Sequence, residues 1–354
     1  MHRLMIASKR VLSALEQVYT VSCQPLGGKT HILAASEGHK AALLFSPPDW
    51  KPSVLAAGPG GVMCLEGVPG KADTLLGIER FYPIFLAENA GIMIARPDTE
   101  LTQPWRLHRV LDLPFVHRVR AVLARGITFM VAATICGGKS SQEDWSQPGA
   151  VYVSVVPEDA GQPWHLQPVV TGLYQNHGLI VQEIEGTRYV FVGCRNGLLR
   201  LRVPEGTEDT WQAEMILDQP VSDLSFFDLD GDGQLELVTI EPFHGDRLVV
   251  YHSDQGAWKP VFNAELAFGH VVWAGMLLGQ PGVLAGSRRG REELAWHFSS
   301  HGDLNLKERF EIDSGIEPTQ IEVMHERGRE LIVSANHKAG EVTLYELTAG
   351  GPIP

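Results

Sequence analysis

The hydrophobic residues of this chain fall into many short runs that are separated by turn-forming residues. Examples are YVFVGC (189–194), GLLRLRV (197–203), LVTIEP (237–242) and RLVVYH (247–252). Short apolar runs that are rich in β-branched and aromatic side chains predict β-strands. Few segments show a helical hydrophobic period over three turns, so the pattern disfavours a helical fold.

Tryptophan marks a repeat along the chain. Five tryptophans each stand at the head of a strand-like run after a turn: Trp50, Trp105, Trp164, Trp211 and Trp258. Their separations are 55, 59, 47 and 47 residues, and each repeat contains four short apolar runs. Four-stranded repeats of this length are typical of β-propeller blades, because one such sheet cannot bury both faces until neighbours stack on it.

The predicted fold is therefore all-β, a seven-bladed β-propeller that occupies 1–354 as a single domain. The innermost strands are expected to begin near Tyr19, Gly61, His117, His177, Asp223, His270 and Thr319. The expected blades are 19–60, 61–114, 115–173, 174–219, 220–267, 268–314 and 315–348. The last blade lacks a fourth strand, and the N-terminal run 9–18 is expected to complete it, which would leave no open sheet edge. The alternative is a β-sandwich followed by a smaller β-domain.

Charge and composition disfavour some binding partners and indicate the environment in which the protein works. The formal charge of −13 would repel nucleic acid and anionic membranes, so neither is expected as a partner. The cysteines at 23, 64, 136 and 194 form no CxxC pair and are expected to be reduced. We expect a cytoplasmic protein, since neither a secretion signal nor an 18-residue apolar run is evident. A homo-oligomer is compatible with the sequence.

One loop has the composition of a cation site. FFDLDGDGQLELVTI places oxygen-bearing side chains at alternating positions: Asp228, Asp230, Asp232, Gln234 and Glu236. Ligands of this kind suit Ca²⁺ or Mg²⁺. The loop resembles the DxDGDGxxE loop of FG-GAP and VCBS-type propeller repeats, which implies a structural metal between the first two strands of a blade. A solvated acidic turn without metal is the alternative.

Three histidines occur at the same phase of three repeats: His117, His177 and His270. In a propeller, the loops that lead into the innermost strands open on one face around the axis, so these side chains are expected to line a central funnel. Neutral imidazoles with water would form an open site for Zn²⁺, Mn²⁺ or Fe²⁺. Hydrogen bonding within a wet channel is the alternative for each of them.

The loops between second and third strands are expected to surround the same funnel with charged and aromatic groups. The predicted substrate-binding residues are Tyr82, Asp144, Trp145, Arg195, Arg288 and Asn336. The predicted catalytic residues are Lys139, Glu241, His244 and His337. Such residues at equivalent positions predict a pocket for a ligand with many hydroxyl groups, although each could also be an ordinary surface residue. The long loop 137–149 would form a partial lid.

These motifs resemble the propeller part of fungal aldos-2-ulose dehydratase and its small bacterial relatives. The resemblance rests on DLPFVHR (112–118), CGGKSSQEDWSQPGAVYV (136–153), QNHG (175–178), VGCRNGL (192–198), EPFHG (241–245), GSRRG (286–290) and ANH (335–337). It implies a metal-assisted loss of water from a keto-sugar, such as a 2-ulose or anhydrofructose.

The resemblance also suggests roles for individual residues. A divalent ion on His117, His177 and His270 would polarise the ketone. His337 or His244 would remove the α-proton, with Glu241 orienting that base. Lys139, Arg195 and Arg288 would hold hydroxyl groups or assist the leaving hydroxide.

Two other functions stay open from the sequence. A non-catalytic propeller could bind a carbohydrate or a protein in the same funnel. A metal-dependent sugar lactonase or epimerase ranks third, since such lactonases usually present carboxylates to the cation.

Overall fold

The structure, a computed structural model, describes residues 4–207 and 209–350. These residues form 28 strands and no helix. Within this part of the chain there is accordingly no helix long and apolar enough to cross a membrane.

In chain order the strands are β1 (Leu4–Ala14), β2 (Val18–Leu26), β3 (Lys29–Ser36), β4 (Ala42–Ser46), β5 (Lys51–Ala56), β6 (Leu65–Gly67), β7 (Leu75–Glu79), β8 (Gly91–Arg96), β9 (Arg106–Asp112), β10 (Val116–Ala124), β11 (Ile127–Thr134), β12 (Gly149–Val155), β13 (Gln167–Leu173), β14 (Gly178–Ile184), β15 (Thr187–Cys194), β16 (Gly197–Arg202), β17 (Gln212–Leu217), β18 (Asp223–Phe227), β19 (Glu236–Glu241), β20 (Arg247–Asp254), β21 (Ala257–Glu265), β22 (Gly269–Leu277), β23 (Gln280–Ser287), β24 (Leu294–Phe298), β25 (Glu308–Asp313), β26 (Pro318–Glu326), β27 (Arg329–Asn336) and β28 (Glu341–Ala349).

The strands divide between two compact units. The first unit, Gln17–Pro220, holds four antiparallel sheets of four consecutive strands each: β2–β5, β6–β9, β10–β13 and β14–β17. The second unit combines the described residues before Gln17 with those from Val221 onward. It holds β18–β21, β22–β25 and a sheet of β26–β28 with β1.

Seven four-stranded sheets, the last completed by the N-terminal strand, are the architecture of a seven-bladed β-propeller. The fold class predicted from the sequence is therefore confirmed. In the last sheet β1 runs antiparallel to β28, with Leu4 opposite Ala349 and Ala14 opposite Glu341.

Two predicted strand positions differ from the structure. The N-terminal strand covers 4–14 rather than 9–18. The innermost strand of the second sheet begins at Leu65, not near Gly61, and has only three residues. Gly60 and Gly61 have φ values of 81° and 62°, so the chain turns there before the strand can begin.

Burial follows the position of a strand within its sheet. The second strands are buried on both faces, as in β7 and β19, where every residue is buried. The fourth strands are largely exposed, as in β17. This gradient explains why second strands read as continuous apolar runs and fourth strands as mixed ones.

The periodic tryptophans connect turn and strand. The Nε1 of Trp105 donates a hydrogen bond to the carbonyl of Leu101 at 2.8 Å, and Trp164 makes the same bond to Ala160 at 3.3 Å. In both cases the acceptor lies four residues earlier, so the indole closes the turn that leads into the fourth strand.

His297 on β24 provides a pH-dependent contribution to stability. Burial, with the nearby Arg309 charge, lowers its pKa from 6.5 to about 4. The unfolded chain then binds more protons than the folded one between those pH values, so stability is complete above pH 6.5 and falls as the pH drops toward 4. We expect the wild type to lose about 2 kcal/mol at pH 5 relative to pH 7 from this residue. Urea unfolding at both pH values should show a smaller loss for His297→Gln. An equal loss in wild type and variant would contradict the assignment.

Candidate functional site

Five turns that lead into innermost strands share an unusual backbone conformation. In each, a residue other than glycine has a positive φ: 53° at Gln17, 60° at Phe115, 53° at Gln175, 61° at Phe268 and 48° at Glu317. This left-handed conformation is rare for such residues and costs about 1–2 kcal/mol. We call these five turns the inner-strand turns. Strain that recurs at equivalent positions is typical of a functional constraint.

A β-bulge follows four of the inner-strand turns, two residues after the strained residue. Register shifts take Tyr19, His117, His270 and Thr319 out of the strand ladders. In the fifth turn, His177 has the same spacing and lies directly before β14. Bulges re-aim side chains and are frequent next to active sites. The three predicted histidines are thus equivalent in their spacing from a strained turn residue.

Four inner-strand turns are joined by a backbone hydrogen bond to the end of the second strand of the same sheet. The carbonyl of the strained residue accepts a backbone hydrogen bond there. The bonds are Glu37 N to Gln17 O (3.0 Å), Ile135 N to Phe115 O (2.9 Å), Arg288 N to Phe268 O (2.9 Å) and His337 N to Glu317 O (3.1 Å). The backbone therefore places Arg288 and His337 each beside an inner-strand turn. Their predicted place in a second ring of site residues stays a prediction.

In the unit Gln17–Pro220, four polar side chains meet at these turns, and we call them the Arg118 cluster: Tyr19, His117, Arg118 and His177. Nη2 of Arg118 lies 3.4 Å from the Tyr19 hydroxyl and 3.5 Å from Nε2 of His177. The Tyr19 hydroxyl lies 3.4 Å from Nε2 of His117. Arg118 also donates from Nε to the backbone carbonyl of His177 at 2.9 Å.

These contacts fix the direction of the hydrogen bonds. A guanidinium can only donate, so Nε2 of His177 and the Tyr19 oxygen act as acceptors. The Tyr19 hydrogen is then directed to Nε2 of His117. In their neutral forms, both imidazoles accept at Nε2.

In the Arg118 cluster, three side chains are buried, and the charged one remains partly accessible to solvent. Tyr19, His117 and His177 are only 3%, 1% and 0% exposed, whereas Arg118 is half-buried. Among the described residues, no carboxylate forms an ion pair with Arg118. A guanidinium without a counter-ion suits an electron-rich oxygen of a ligand.

The predicted metal ligands fit a metal unequally. His270 donates from Nδ1 to the carbonyl of Thr319 at 3.0 Å, which leaves Nε2 as the lone-pair nitrogen, the usual arrangement of a metal-binding histidine. At His177, by contrast, the Arg118 guanidinium faces Nε2 and would repel a cation. A metal held by His117, His177 and His270 remains a prediction.

The loop 137–149 folds around Lys139. Its Nζ lies 3.3 Å from the centroid of the Trp145 ring and 5.5 Å from that of Phe85. It also donates to the carbonyl of Gln142 at 2.6 Å. Lys139 thus covers a face of Trp145, the face that a stacked sugar would need.

Asp144 organises this loop from within. Its carboxylate accepts hydrogen bonds from the amide and hydroxyl of Ser140 and from the amide of Ser146. These bonds hold the pKa of Asp144 well below its usual range. The residue predicted to bind substrate is therefore engaged in shaping the loop.

In the second unit, Arg288 and His337 form a group with Glu317. Nη2 of Arg288 lies 3.2 Å from Nδ1 of His337 and 3.5 Å from a Glu317 oxygen. Because Arg288 donates to Nδ1, a neutral His337 carries its proton on Nε2. In this state Nε2 carries a hydrogen and no available lone pair, so it cannot act as the predicted base.

His244 lies within an aromatic group of the same unit. Its ring stacks on Phe243 at 4.0 Å between centroids, and the rings of Phe268 and His270 lie 4.6 and 5.2 Å away. The structure thus brings the predicted catalytic His244 beside the predicted ligand His270.

Two predicted site residues are buried and engaged in internal hydrogen bonds. Glu241, expected to orient a histidine base, accepts from the hydroxyls of Thr239 and Tyr251, each at 2.7 Å. Asn336, expected to bind substrate, donates to Thr343 and Tyr345 and accepts from Ser334. Burial forces both groups to find partners inside their own sheets.

The remaining two predicted substrate-binding residues lie nearer the surface. Arg195 is exposed at the turn between β15 and β16. The hydroxyl of Tyr82 donates to the carbonyl of Pro59 at 3.3 Å, and its ring lies 4.2 Å from that of His39.

The acidic loop joins β18 to β19 in the second unit. Ligand atoms of Asp228, Asp230 and Asp232 lie within 4.8 Å of one another, a spacing that fits one Ca²⁺ or Mg²⁺ ion. Glu236 is buried, and its oxygens accept from Leu229 N at 2.7 Å and lie 2.8 Å from Nδ1 of His252. Gln234 is exposed and donates to Asp232. Of the predicted set, the three aspartates are thus the carboxylates that are not buried and that lie close enough together to share one ion.

If this loop binds Ca²⁺, the ion should stabilise the fold. Saturation at about 100 times Kd adds about 2.7 kcal/mol, which a thermal melt of chelated protein with and without added Ca²⁺ would detect. Asp230→Asn with Asp232→Asn should abolish the increase. The matched control, Asp218→Asn, changes an exposed aspartate outside the loop and should retain it. An unchanged melting temperature of wild type at millimolar Ca²⁺ would contradict the prediction.

Two members of the Arg118 cluster were not predicted as site residues. Tyr19 marks the start of an innermost strand, and Arg118 falls within the DLPFVHR motif. Their positions in the repeat could have indicated both residues. Tyr19 occupies the same position as His117 and His270, and Arg118 directly follows His117.

Comparison with solved structures supports the fold. The propeller domain of Cps50 (Swd1) from Myceliophteria thermophila has a TM-score of 0.60 and 12% identity, over 95% of this chain and 99% of that one. Sqt1 from Saccharomyces cerevisiae has a TM-score of 0.58 and 10% identity, over 98% and 99%. A candidate 6-phosphogluconolactonase from Bacteroides uniformis has a TM-score of 0.51 and 13% identity, over 95% and 98%. No protein-family model and no curated protein matches the chain.

Proposed function

We propose that this chain is a lyase of the dehydratase type, which removes water from a keto-sugar or a related polyhydroxylated carbonyl compound. The Arg118 cluster is the observation that carries the proposal. Within it, a phenol, two imidazoles and a guanidinium are connected by contacts of 3.4–3.5 Å, and no carboxylate in the described part of the chain forms an ion pair with the guanidinium.

Loss of water from such a compound needs a base, an acid and a group that stabilises negative charge. When the substrate carbonyl takes over the Nη2 hydrogen bond of Arg118, Nε2 of His177 is released and accepts the proton from the α-carbon, while the electron pair moves into the carbonyl group. The electron pair then returns to form the carbon–carbon double bond as the bond to the β-hydroxyl group breaks, and the Tyr19 hydroxyl protonates the leaving hydroxide to water. The proton on His177 returns to the Tyr19 oxygen, so the cluster ends the cycle unchanged.

Arg118 serves both steps. Its Nη2 contacts the proposed acid and the proposed base, and its charge stabilises the oxyanion that develops on the substrate. His117 accepts from Tyr19 and so keeps the hydroxyl oriented. His117 and Tyr19 lie on bulges after strained turns, a costly backbone that a purely structural role would not require.

The substrate class comes from the motif resemblance to aldos-2-ulose dehydratase, and the roles come from the contacts. The similar solved structures support the fold alone. A metal on His117, His177 and His270 stays a prediction from the sequence and has no step in this scheme, because His177 is the proposed base and its Nε2 faces the Arg118 guanidinium. Lys139 and Arg195, in the same unit as the Arg118 cluster, are part of the proposal as groups that hold substrate hydroxyls. The roles suggested for Arg288, His244 and His337, which lie in the second unit, stay predictions from the sequence.

A non-catalytic propeller that binds a carbohydrate or a protein is the second candidate. The near-complete burial of Tyr19, His117 and His177 favours it, because such side chains could serve only to connect neighbouring sheets. The two functions differ in whether a bound sugar is consumed.

The test uses the full chain with 1,5-anhydro-D-fructose and 2-keto-D-glucose as substrates. Proton NMR should show loss of an α-proton signal, and an unsaturated ketone should absorb in the ultraviolet. Parallel reactions with and without chelator determine whether a metal is required. Binding by calorimetry without product would support the second candidate, and neither binding nor turnover of either sugar would overturn the proposed substrate class.

A further inference from the structure

Lys139 is a buried lysine in an unusual environment. It is only 9% exposed, and among the described ion pairs none joins it to a carboxylate. Its described polar contact is the carbonyl of Gln142, and an aromatic ring covers the ammonium. Lysine is seldom buried without a carboxylate partner, because removing its charge from water is costly.

The loop is built to hold the amine in this place. Asp144 ties Ser140 to Ser146, and Gly138 pairs with Gln147 across the base of the loop. Trp145 packs edge-on against Phe85 at 5.5 Å between centroids. The side chain of Lys139 is therefore fixed by its own loop and not left mobile at the surface.

Burial also changes the chemistry of the amine. Loss of water around Nζ lowers the pKa of Lys139 below its usual value. A larger fraction is then neutral near pH 7 and carries the lone pair that attacks carbonyl carbon. Lysines that form imines are activated by desolvation of this kind.

An aromatic network connects this loop to the Arg118 cluster within the same unit. Phe85 contacts Trp145 and also lies 6.4 Å from Phe81, and Phe81 lies 5.2 Å from His117. The amine and the acid–base groups thus belong to one packed set of side chains.

We propose that Lys139 forms an imine with the carbonyl carbon of the substrate. The inference rests on the proposed function and deepens it, because it names the group that activates the ketone. It gives Lys139 covalent chemistry, in place of the predicted contact with a substrate hydroxyl.

The reaction balances without an external reagent. The neutral amine adds to the ketone, and the ketone oxygen leaves as water with both hydrogens of the amine. Protonation of the imine acidifies the neighbouring C–H bond, whose proton passes to a base while its electrons form an enamine. The enamine expels the β-hydroxide, which leaves as a second water. Hydrolysis of the unsaturated imine consumes one water and restores Lys139, so one water is lost per substrate.

Reductive trapping tests the inference. The wild-type chain is incubated with 1,5-anhydro-D-fructose and sodium cyanoborohydride at pH 7, and modified lysines are located by peptide mass spectrometry. We expect the reduced adduct to form on Lys139 well before it forms on Lys259, an exposed lysine that is ion-paired with Asp254. Equal or slower labelling of Lys139 would overturn the inference.

Lys139→Arg separates chemistry from structure. Arginine keeps the positive charge over Trp145 but cannot form an imine, so we expect loss of the adduct and a fall in kcat of about 10³-fold or more. Lys259→Arg is the matched control and should retain both. Full turnover by Lys139→Arg with an unchanged melting temperature would show that Lys139 only braces the loop.

The outcomes distinguish this inference from the proposed function. Turnover that cyanoborohydride does not inhibit, with no adduct, overturns the imine and leaves the dehydratase intact. An adduct on Lys139 without any product supports the imine and overturns dehydration.

Discussion

Replacing Arg118 with methionine is expected to lower kcat for keto-sugar dehydration by about 10²–10³-fold. Methionine retains much of the side-chain length but donates no hydrogen bond to Tyr19 or His177. The developing oxyanion then loses its charged partner, and the acid and base lose the group that orients them. Initial rates measured by ultraviolet absorbance at saturating substrate give kcat directly.

Two further variants control this experiment. Arg118 also donates to the backbone carbonyl of His177, so melting temperatures must show that the variant is folded. Arg200→Met removes a guanidinium in the same unit that lies over Tyr189 and pairs with Glu214, outside the Arg118 cluster. We expect it to keep the wild-type rate. A folded Arg118→Met variant with wild-type kcat would contradict the assignment.

Trp296→Ala is expected to reduce the free energy of unfolding by about 3–5 kcal/mol. Trp296 on β24 is completely buried and lies in an apolar cluster formed by the last two sheets of the second unit. A Cβ atom at Gly282 would lie only 2.6 Å from its ring, so the indole packs directly on that backbone. Alanine would leave a cavity that the rigid sheets cannot close.

Trp258→Ala is the matched control in the same unit. Trp258 heads the exposed fourth strand β21 and is only partly buried, so we expect a loss of about 1 kcal/mol. Urea unfolding at pH 7 compares the two variants. A loss for Trp296→Ala no larger than for Trp258→Ala would show that the cluster reorganises around the missing ring.

The fold could be predicted from the sequence because large apolar residues, above all tryptophans, recur at each repeat. Trp105 and Trp164 stand at the head of fourth strands because their indoles close the preceding turns. The short strand β6 was placed too early because a turn at two glycines cannot be distinguished, in one sequence, from the start of a strand.

For the candidate site, the sequence predicted which residues share one position in the repeat, but not what their side chains contact. The repeat placed His117, His177 and His270 at one position, and the inner-strand turns give that position a physical basis. Positive φ values at Phe115 and Phe268 could not be read from the chain, because a phenylalanine gives no indication of left-handed backbone.

The sequence could not predict which hydrogen-bond partners the polar site residues have. Glu241 and Asn336 are the last residues of second strands, a position where both buried and accessible polar groups occur. Their hydrogen bonds to Tyr251 and Tyr345 depend on register between strands, which the pattern of apolar residues does not fix for a single side chain. Whether a carboxylate reaches Arg118 likewise depends on how the strands assemble; within residues 4–207 and 209–350, none forms an ion pair with it.

The pairing of β1 with β28 has a consequence for biosynthesis. Leu4 lies opposite Ala349, so this sheet pairs two strands that are more than 300 residues apart along the chain. Contacts of such sequence separation form slowly because a long chain must first be closed. During synthesis, β1 has no partner strand until β28 has emerged from the ribosome. A circular permutant that connects Ala349 of β28 to Leu4 of β1 and opens the chain between Asp218 and Gln219 would make each of the seven described sheets contiguous in sequence. It should allow each blade to fold as it is synthesised.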